Sequence, residues 1–178
     1  MGVSFCVGTM NPTVYWAKLA HKDWVFHLAA TEEGLCCIEL PNGSLEAMRE
    51  WLQRRTRYAT LVHSPEHLEP YTTQLKDYLD NTRRQFDMRL ALYGTEFQRS
   101  VWQALSTIPF GETRSYLDIA SEVRRPKAVR AVGAANGANP IPIVLPCHRV
   151  IGKSGSLVGY GGGLDMKTRL LHLEGALA

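Results

Sequence analysis

The chain has no run of about 18 apolar residues, so it contains no candidate for a membrane-spanning helix. Its first ten residues hold neither lysine nor arginine; a secretory leader is not expected, and the cytoplasm is the expected compartment. Cysteine is sparse: Cys6, Cys36, Cys37 and Cys147 form no spaced framework, which speaks against a disulfide scaffold and leaves four thiols in a reducing compartment. The same residues, with His21 and His27, lack the paired spacing of a zinc site, and adjacent Cys36 and Cys37 on a strand would face opposite sides, so no metal is expected. Nor is there an internal repeat. With 15 Gly and 9 Pro among 178 residues, 45% hydrophobic and 21% charged, the composition is that of a folded chain, large enough for one average domain or two small ones.

Acidic residues are scarce in one place. Residues 1–89 carry 10 Lys and Arg against 11 Asp and Glu, whereas 90–178 carry 10 against 6, a net +4 within an overall +3. Between Arg124 and Lys153 there are six basic residues and no acidic one, a stretch suited to a polyanion.

The first third of the chain reads as a β-meander. Thr13 to Leu19, Trp24 to Thr31 and Leu35 to Leu40 are rich in aromatic and β-favouring residues and are separated by the turn-like His21-Lys22-Asp23 and Glu32-Glu33-Gly34. Two helices are expected next, one from the N-cap Ser44 to about Arg55 and one opened by Ser64 and Pro65 and running to about Asp80, with Leu68, Tyr71, Leu75 and Tyr78 as its core stripe. A strand around Met88 to Leu92 precedes a domain boundary, giving residues 1–92 as an N-terminal α/β domain and 93–178 as a C-terminal functional domain. Thr95 to Gln98 matches a capping box for a helix carrying Val101, Trp102 and Leu105, and Ser115 caps another through Val123. The fold class is thus α/β (α+β), an N-terminal antiparallel sheet with helices followed by a helical C-terminal domain.

Arg124-Arg125-Pro126 makes a tight connection into a basic helix from Lys127 to about Gly137, the layout of a helix-turn-helix. Ala128, Ala131, Gly133, Ala134 and Ala135 leave this helix thin enough to approach DNA closely, while Val129 and Val132 are expected to face the core.

Pro146-Cys147-His148-Arg149-Val150 is the densest group of reactive side chains. A free thiol has a pKa of roughly 8.5, so a nucleophilic cysteine needs a base or a positive field, and His148 and Arg149 supply the two. Adjacent residues often point apart, which calls for a bridging water between thiol and imidazole. A carboxylate should orient the imidazole, as in a catalytic triad; Glu174 and Asp165 are the candidates. A cysteine hydrolase and a non-enzymatic DNA-binding module are the competing readings of these features.

At these residues the chain resembles the O6-alkylguanine-DNA alkyltransferases, also called methylated-DNA-protein-cysteine methyltransferases. The likeness is carried by Pro146 to Val150, Asn139-Pro140, Phe110-Gly111, Ser115-Tyr116, Arg130 and the loop Gly159-Tyr160-Gly161-Gly162-Gly163-Leu164. It extends from about Tyr93 to Gly175, and the N-terminal part agrees only in layout.

The resemblance implies direct-reversal DNA repair: one irreversible transfer of an alkyl group from O6-alkylguanine to Cys147, with O4-alkylthymine left open as a second substrate. It makes His148 the water-mediated base, Glu174 its partner, Asn139 a brace for the active-site turn, and Tyr116 a donor to the flipped guanine. Arg130 becomes the finger that fills the vacated stack. Val150, Tyr160 and Gly161 line the pocket; some relatives carry Ser at the Gly161 position, and its absence here removes a side-chain contact but not the amide. The resemblance further implies a winged helix-turn-helix that docks Lys127, Ala128, Ala131, Gly133 and Ala135 in the minor groove of double-stranded alkylated DNA, and a monomer that needs no cofactor.

Overall fold

The computed structural model describes residues 2–177. The chain divides into two compact units that meet in sequence at Tyr93 and Gly94.

The N-terminal unit is organised around the expected meander. After the short strand β1 (Ser4–Val7), strands β2 (Thr13–His21), β3 (Trp24–Thr31) and β4 (Gly34–Glu39) pair antiparallel in succession. Lys22, at φ 53°, makes the β2–β3 turn. Gly34 opens β4 at φ 143°, where a Cβ would lie 2.4 Å from the Arg89 carbonyl oxygen, so the neighbouring backbone comes too close for any side chain. Helix α1 (Leu45–Thr56) starts at Ser44, whose hydroxyl accepts the Ala47 N–H; strand β5 (Thr60–His63), helix α2 (Pro65–Leu79) and strand β6 (Arg89–Leu92) complete the unit.

The sheet is mixed rather than wholly antiparallel. Its order is β1-β6-β4-β3-β2-β5, with parallel pairing of β1 to β6, β4 to β6 and β2 to β5. Helical crossovers return the chain in the same direction, which a local alternation of side chains does not encode. Every residue of β4 but Glu39 is buried, and Cys36 and Cys37 sit in a core with Val14, Met48, Leu52 and Tyr93. Burial raises both thiols, so they are inert small hydrophobes. In α2, Leu68, Leu75 and Tyr78 are buried as expected, and Tyr71 is half-buried. Ser64 does not cap that helix through its side chain: its hydroxyl donates to Glu66 Oε2 (2.9 Å) and lies 2.7 Å from His67 Nδ1.

The C-terminal unit is helical. Both bonds of the Thr95/Gln98 capping box are present at the start of α3 (Glu96–Leu105), which buries Val101, Trp102 and Leu105. A second capping box, Ser115 with Asp118, starts α4 (Tyr116–Glu122) and makes Tyr116 its first residue. Arg124, at φ 57°, turns the chain toward α5 (Val129–Gly137). Lys127 and Ala128 therefore precede α5 rather than belonging to it, because the turn around Pro126 extends two residues further than the spacing predicts. Two-residue strands β7 (Arg114–Ser115) and β8 (Val150–Ile151) pair parallel, a 3-10 turn spans Cys147–Arg149, and α6 (Leu164–Leu173) ends at Glu174.

Candidate active site

Cys147 is held by backbone that has few alternatives. Pro146, at φ −79° and ψ 64°, forms an inverse γ-turn in which the Cys147 N–H donates to the Leu145 carbonyl at 2.7 Å. Just before it, buried Ile143 adopts φ 75°, a conformation that costs a β-branched residue about 1–3 kcal/mol. Asn139 braces this segment from both sides: its Nδ2 donates to the Leu145 carbonyl (2.7 Å) and its Oδ1 accepts the Ile141 N–H (3.0 Å). The same carboxamide reaches the Cys147 sulfur.

Cys147 is 4% exposed. Burial raises its pKa to about 11, against the opposing effects of the Asn139 hydrogen bond, the Lys167 charge and nearby backbone donors. At pH 7 Cys147 thus rests as a neutral thiol, and any reaction of its sulfur as a nucleophile would require its ionisation.

The next residue in the chain, His148, belongs to a buried charged cluster. His148 Nε2 is 2.7 Å from Glu174 Oε1, and both side chains are fully shielded from solvent. Arg149 grips the same carboxylate through Nε (2.8 Å, to Oε2) and Nη2 (2.9 Å, to Oε1), while its Nη1 donates to the Ile108 carbonyl at 2.6 Å and its guanidinium lies over the Phe110 ring. Burial works against the ionised Glu174, but hydrogen bonds and charges from His148 and Arg149 outweigh it and hold the carboxyl at about 2. Burial lowers His148, with Glu174 pulling the other way. A neutral imidazole facing a carboxylate through Nε2 must carry its proton there, which leaves Nδ1 as an acceptor. That Nδ1 is buried and has no hydrogen-bond partner among the described residues.

Of the two carboxylates that the sequence leaves open, Glu174 meets His148, whereas Asp165 is an exposed residue in the first turn of α6. Tyr116 is half-buried, with its hydroxyl donating to the Val158 carbonyl at 3.2 Å. Burial and the charge of Cys147 raise its pKa, and a hydrogen bond from the Asn136 side chain lowers it. Tyr160 has a buried hydroxyl without a partner among the described residues; burial, then the charges of Cys147 and Glu174, raise it well above its ordinary value. Gly161 is exposed in the loop that follows, and Val150 is buried with its carbonyl accepting from Lys167 Nζ at 2.6 Å.

On α5, Arg130 and Ala131 are exposed and Gly133 is half-exposed, as are Val129 and the preceding Ala128; Lys127 is exposed in the turn. Val132 is buried as expected. Ala135 is a correction to the expected DNA-facing surface: it is 3% exposed, and its carbonyl accepts the Trp102 indole N–H at 2.8 Å, because the inward face of α5 packs on α3. The first turn of α5 has neither a side-chain cap nor an acidic residue.

Two residues escaped the sequence reading. Lys167 is completely buried, and its Nζ donates to the carbonyls of Val150 and Val158 (2.6 and 2.9 Å), pinning the loop that carries Tyr160. Burial lowers it to about 8, with the Cys147 charge acting in the opposite direction. Asn136 is also buried, beside Tyr116. The available signal was positional: Lys167 keeps i, i+3, i+4 register with Leu170 and Leu171, and Asn136 lies four residues after Val132.

Residues 14–92 match the family described as 6-O-methylguanine DNA methyltransferase, ribonuclease-like domain, and residues 96–176 match the DNA binding domain of the same methyltransferase. The chain belongs to the 6-O-methylguanine DNA methyltransferase family. Within this family it is 49% identical over 166 residues to the inducible methylated-DNA-protein-cysteine methyltransferase of Bacillus subtilis, covering 93% of each chain. It is 46% identical over 165 residues to the methyltransferase of Methanosarcina acetivorans, covering 92% of this chain and 99% of that one. Its fold superposes on the Mycobacterium tuberculosis OGT solved in complex with DNA, with a TM-score of 0.78, 40% identity and 92% coverage of each chain. The 6-O-methylguanine DNA methyltransferase assignment thus spans both units, including the N-terminal one for which sequence motifs offered only a general layout.

Proposed function

We propose that this protein repairs DNA by moving an alkyl group from the O6 atom of a damaged guanine to Cys147, once per protein molecule. The observation that carries the reading is the buried relay at Cys147: a thiol, an imidazole with a free acceptor nitrogen, and a carboxylate clamped by Arg149. Family membership and relatives named as methylated-DNA-protein-cysteine methyltransferases support the substrate class.

O6 of guanine lies within the paired stack, and sulfur must approach the alkyl carbon from behind, so the nucleotide has to be everted. The S–C bond forms as the C–O6 bond breaks. The thiol proton passes through a bridging water to His148 Nδ1, and Tyr116 supplies a hydrogen bond or proton to the purine ring as electrons move onto it. The purine leaves as guanine, and its leaving ability makes metal or redox chemistry unnecessary. Among the described residues, no group of three or more His, Cys, Asp and Glu side chains is placed to hold a metal. A thioether is a stable product, so in this reading the protein is consumed.

In this reading Asn139 holds the active-site turn, Val150, Tyr160 and Gly161 form the pocket, and Arg130 enters the stack vacated by the base. Gly133, Ala131 and Ala128 let α5 come close to the backbone of the minor groove, with Lys127 on a phosphate. Minor-groove docking reads little sequence, which suits an enzyme that must act anywhere. The protein works as a cytoplasmic monomer; no helix among the described residues is long and apolar enough to cross a membrane.

Incubation with duplex DNA carrying a labelled O6-alkyl group tests this. Label should accumulate on Cys147 to one equivalent per protein and stop. Sustained turnover of an ester or amide by Cys147, without label transfer, would make the protein a hydrolase instead.

A further inference from the structure

Phe110 and Gly111 carry part of the family likeness, yet the scheme above gives them no role. They sit in the turn that joins α3 to β7, and that turn touches both charged partners of the relay. The carbonyl of buried Ile108 accepts from Arg149 Nη1 at 2.6 Å, and the Phe110 ring faces the guanidinium, with its centroid 5.8 Å from Cζ. The Gly111 N–H donates to Glu174 Oε2 at 3.4 Å. Gly111 adopts φ 79°, and a Cβ there would lie 3.0 Å from the Glu174 carbonyl oxygen, so a side chain would be strained and tight against the end of α6.

The Glu174 carboxylate is gripped at both oxygens. His148 Nε2 and Arg149 Nη2 meet Oε1, while Arg149 Nε and the Gly111 amide meet Oε2. The two-pronged contact from Arg149 sets the plane of the carboxylate. An arginine side chain is long and flexible, so this fork is only as well aimed as its far side is anchored. The anchors are the Ile108 carbonyl and the Phe110 ring, and both present negative potential to the cation. Their effect matters most when His148 takes the thiol proton, because an imidazolium and a guanidinium then share one carboxylate away from water. Burial, then the Arg149 charge, lower His148 against the pull of Glu174. An arginine drawn toward the turn competes less with the imidazolium for that carboxylate.

We propose that Phe110 is a positioning residue for alkyl transfer: its ring, with the Ile108 carbonyl, anchors the Arg149 guanidinium so that Glu174 stays in line with His148 Nε2 while the imidazole is charged. This rests on the reading of His148 as the base. No bond to Phe110 forms or breaks. The thiol proton still passes through water to Nδ1, and the Nε2 proton stays on the hydrogen bond to Glu174.

The test uses the full chain in excess over a duplex oligonucleotide containing O6-methylguanine, with Phe110→Leu, Phe110→Met, Phe110→Tyr, Glu174→Gln and the Phe110→Leu/Glu174→Gln pair. Phe110→Leu and Phe110→Met keep apolar bulk and lose the ring face. Each should lower the saturating single-turnover rate about fivefold, the scale of one partly desolvated cation–π contact. The half-saturating protein concentration should stay unchanged, because DNA binding does not draw on the relay. Phe110→Tyr keeps the ring face and should recover the rate. Once Glu174→Gln has removed the charge that the fork orients, Phe110→Leu should add less than about a twofold loss. A full further loss in that background, or a Phe110→Tyr rate as low as that of Phe110→Leu, overturns the role given to Phe110 while leaving the relay in place. So does a wild-type rate for both ring-less variants. A wild-type rate for Glu174→Gln removes the reading of the relay itself, and the proposal with it.

Discussion

His148 Nε2 lies 2.7 Å from Glu174 Oε1, with no solvent-exposed surface on either side chain. The carboxylate thereby fixes which imidazole nitrogen carries the proton, and it does so while bound to Arg149 as well.

Glu174→Gln keeps the shape and removes the charge. The amide can donate to Nε2, which moves the imidazole proton to Nδ1 and blocks it as a base; the alkyl-transfer rate should fall by roughly 10²- to 10⁴-fold, the scale seen when a triad loses its carboxylate. Single-turnover repair of methylated duplex DNA measures it, and a loss below tenfold would contradict the relay.

The same substitution has a pH signature. Because the folded-state carboxyl titrates at about 2, against an ordinary 4.5, its contribution to stability is complete above pH 4.5 and is lost as pH falls through 2. The wild-type protein should exceed Glu174→Gln by on the order of 3 kcal/mol at pH 7. The gap should narrow toward pH 2 in denaturant titrations, since protonated Glu174 and Gln both leave Arg149 without a counter-charge. A gap independent of pH would contradict the ionised network.

Cys147 is buried and held near pKa 11, so in the absence of DNA it should react with iodoacetamide more slowly at pH 8 than half-buried Cys6 does. Peptide mapping by mass spectrometry reads both sites. Preferential labelling of Cys147 would mean that its thiolate exists before substrate arrives.

Lys167→Met should loosen the 152–163 loop, since the Val150 and Val158 carbonyls both lose the Nζ hydrogen bond and Val158 keeps only the longer one from Tyr116. Amides around Val158 and Tyr160 should exchange hydrogen faster, and repair should slow several-fold. Unchanged exchange would remove the tethering role.

Arg130 is exposed on α5 and makes no ion pair among the described residues. Arg130→Ala should slow repair of duplex DNA more than reaction with a free O6-alkylguanine base, because only the duplex requires eversion. Equal losses on the two substrates would rule out the finger.

Features encoded locally were legible in the sequence. The Thr95/Gln98 capping box and the Ser115 cap depend on residues within one turn, and both form, Ser115 completing a box with Asp118. The meander was equally readable, since its turns join consecutive strands. Strands β1 and β5 were not: each has four residues, and β1 finds its parallel partner more than 80 positions away. At the site, Cys147 and His148 stood out by chemistry, whereas selecting Glu174 over Asp165 required the resemblance, because only tertiary packing brings position 174 to position 148. Ala135 was misplaced because a small residue suits close DNA approach and close helix packing alike. Lys167 and Asn136 stayed hidden for a related reason: each occupies a position where the helical stripe calls for an apolar side chain, and each is kept there by carbonyl or phenol partners from distant segments.

The most direct measurement is the intact mass of the protein, followed by peptide mapping, after exposure to duplex DNA carrying O6-methylguanine. The expected result is the gain of a single methyl group, on Cys147, with an equal amount of guanine restored in the DNA. Repaired DNA with an unmodified Cys147, or a protein of unchanged mass beside DNA that stays damaged, would contradict the transfer.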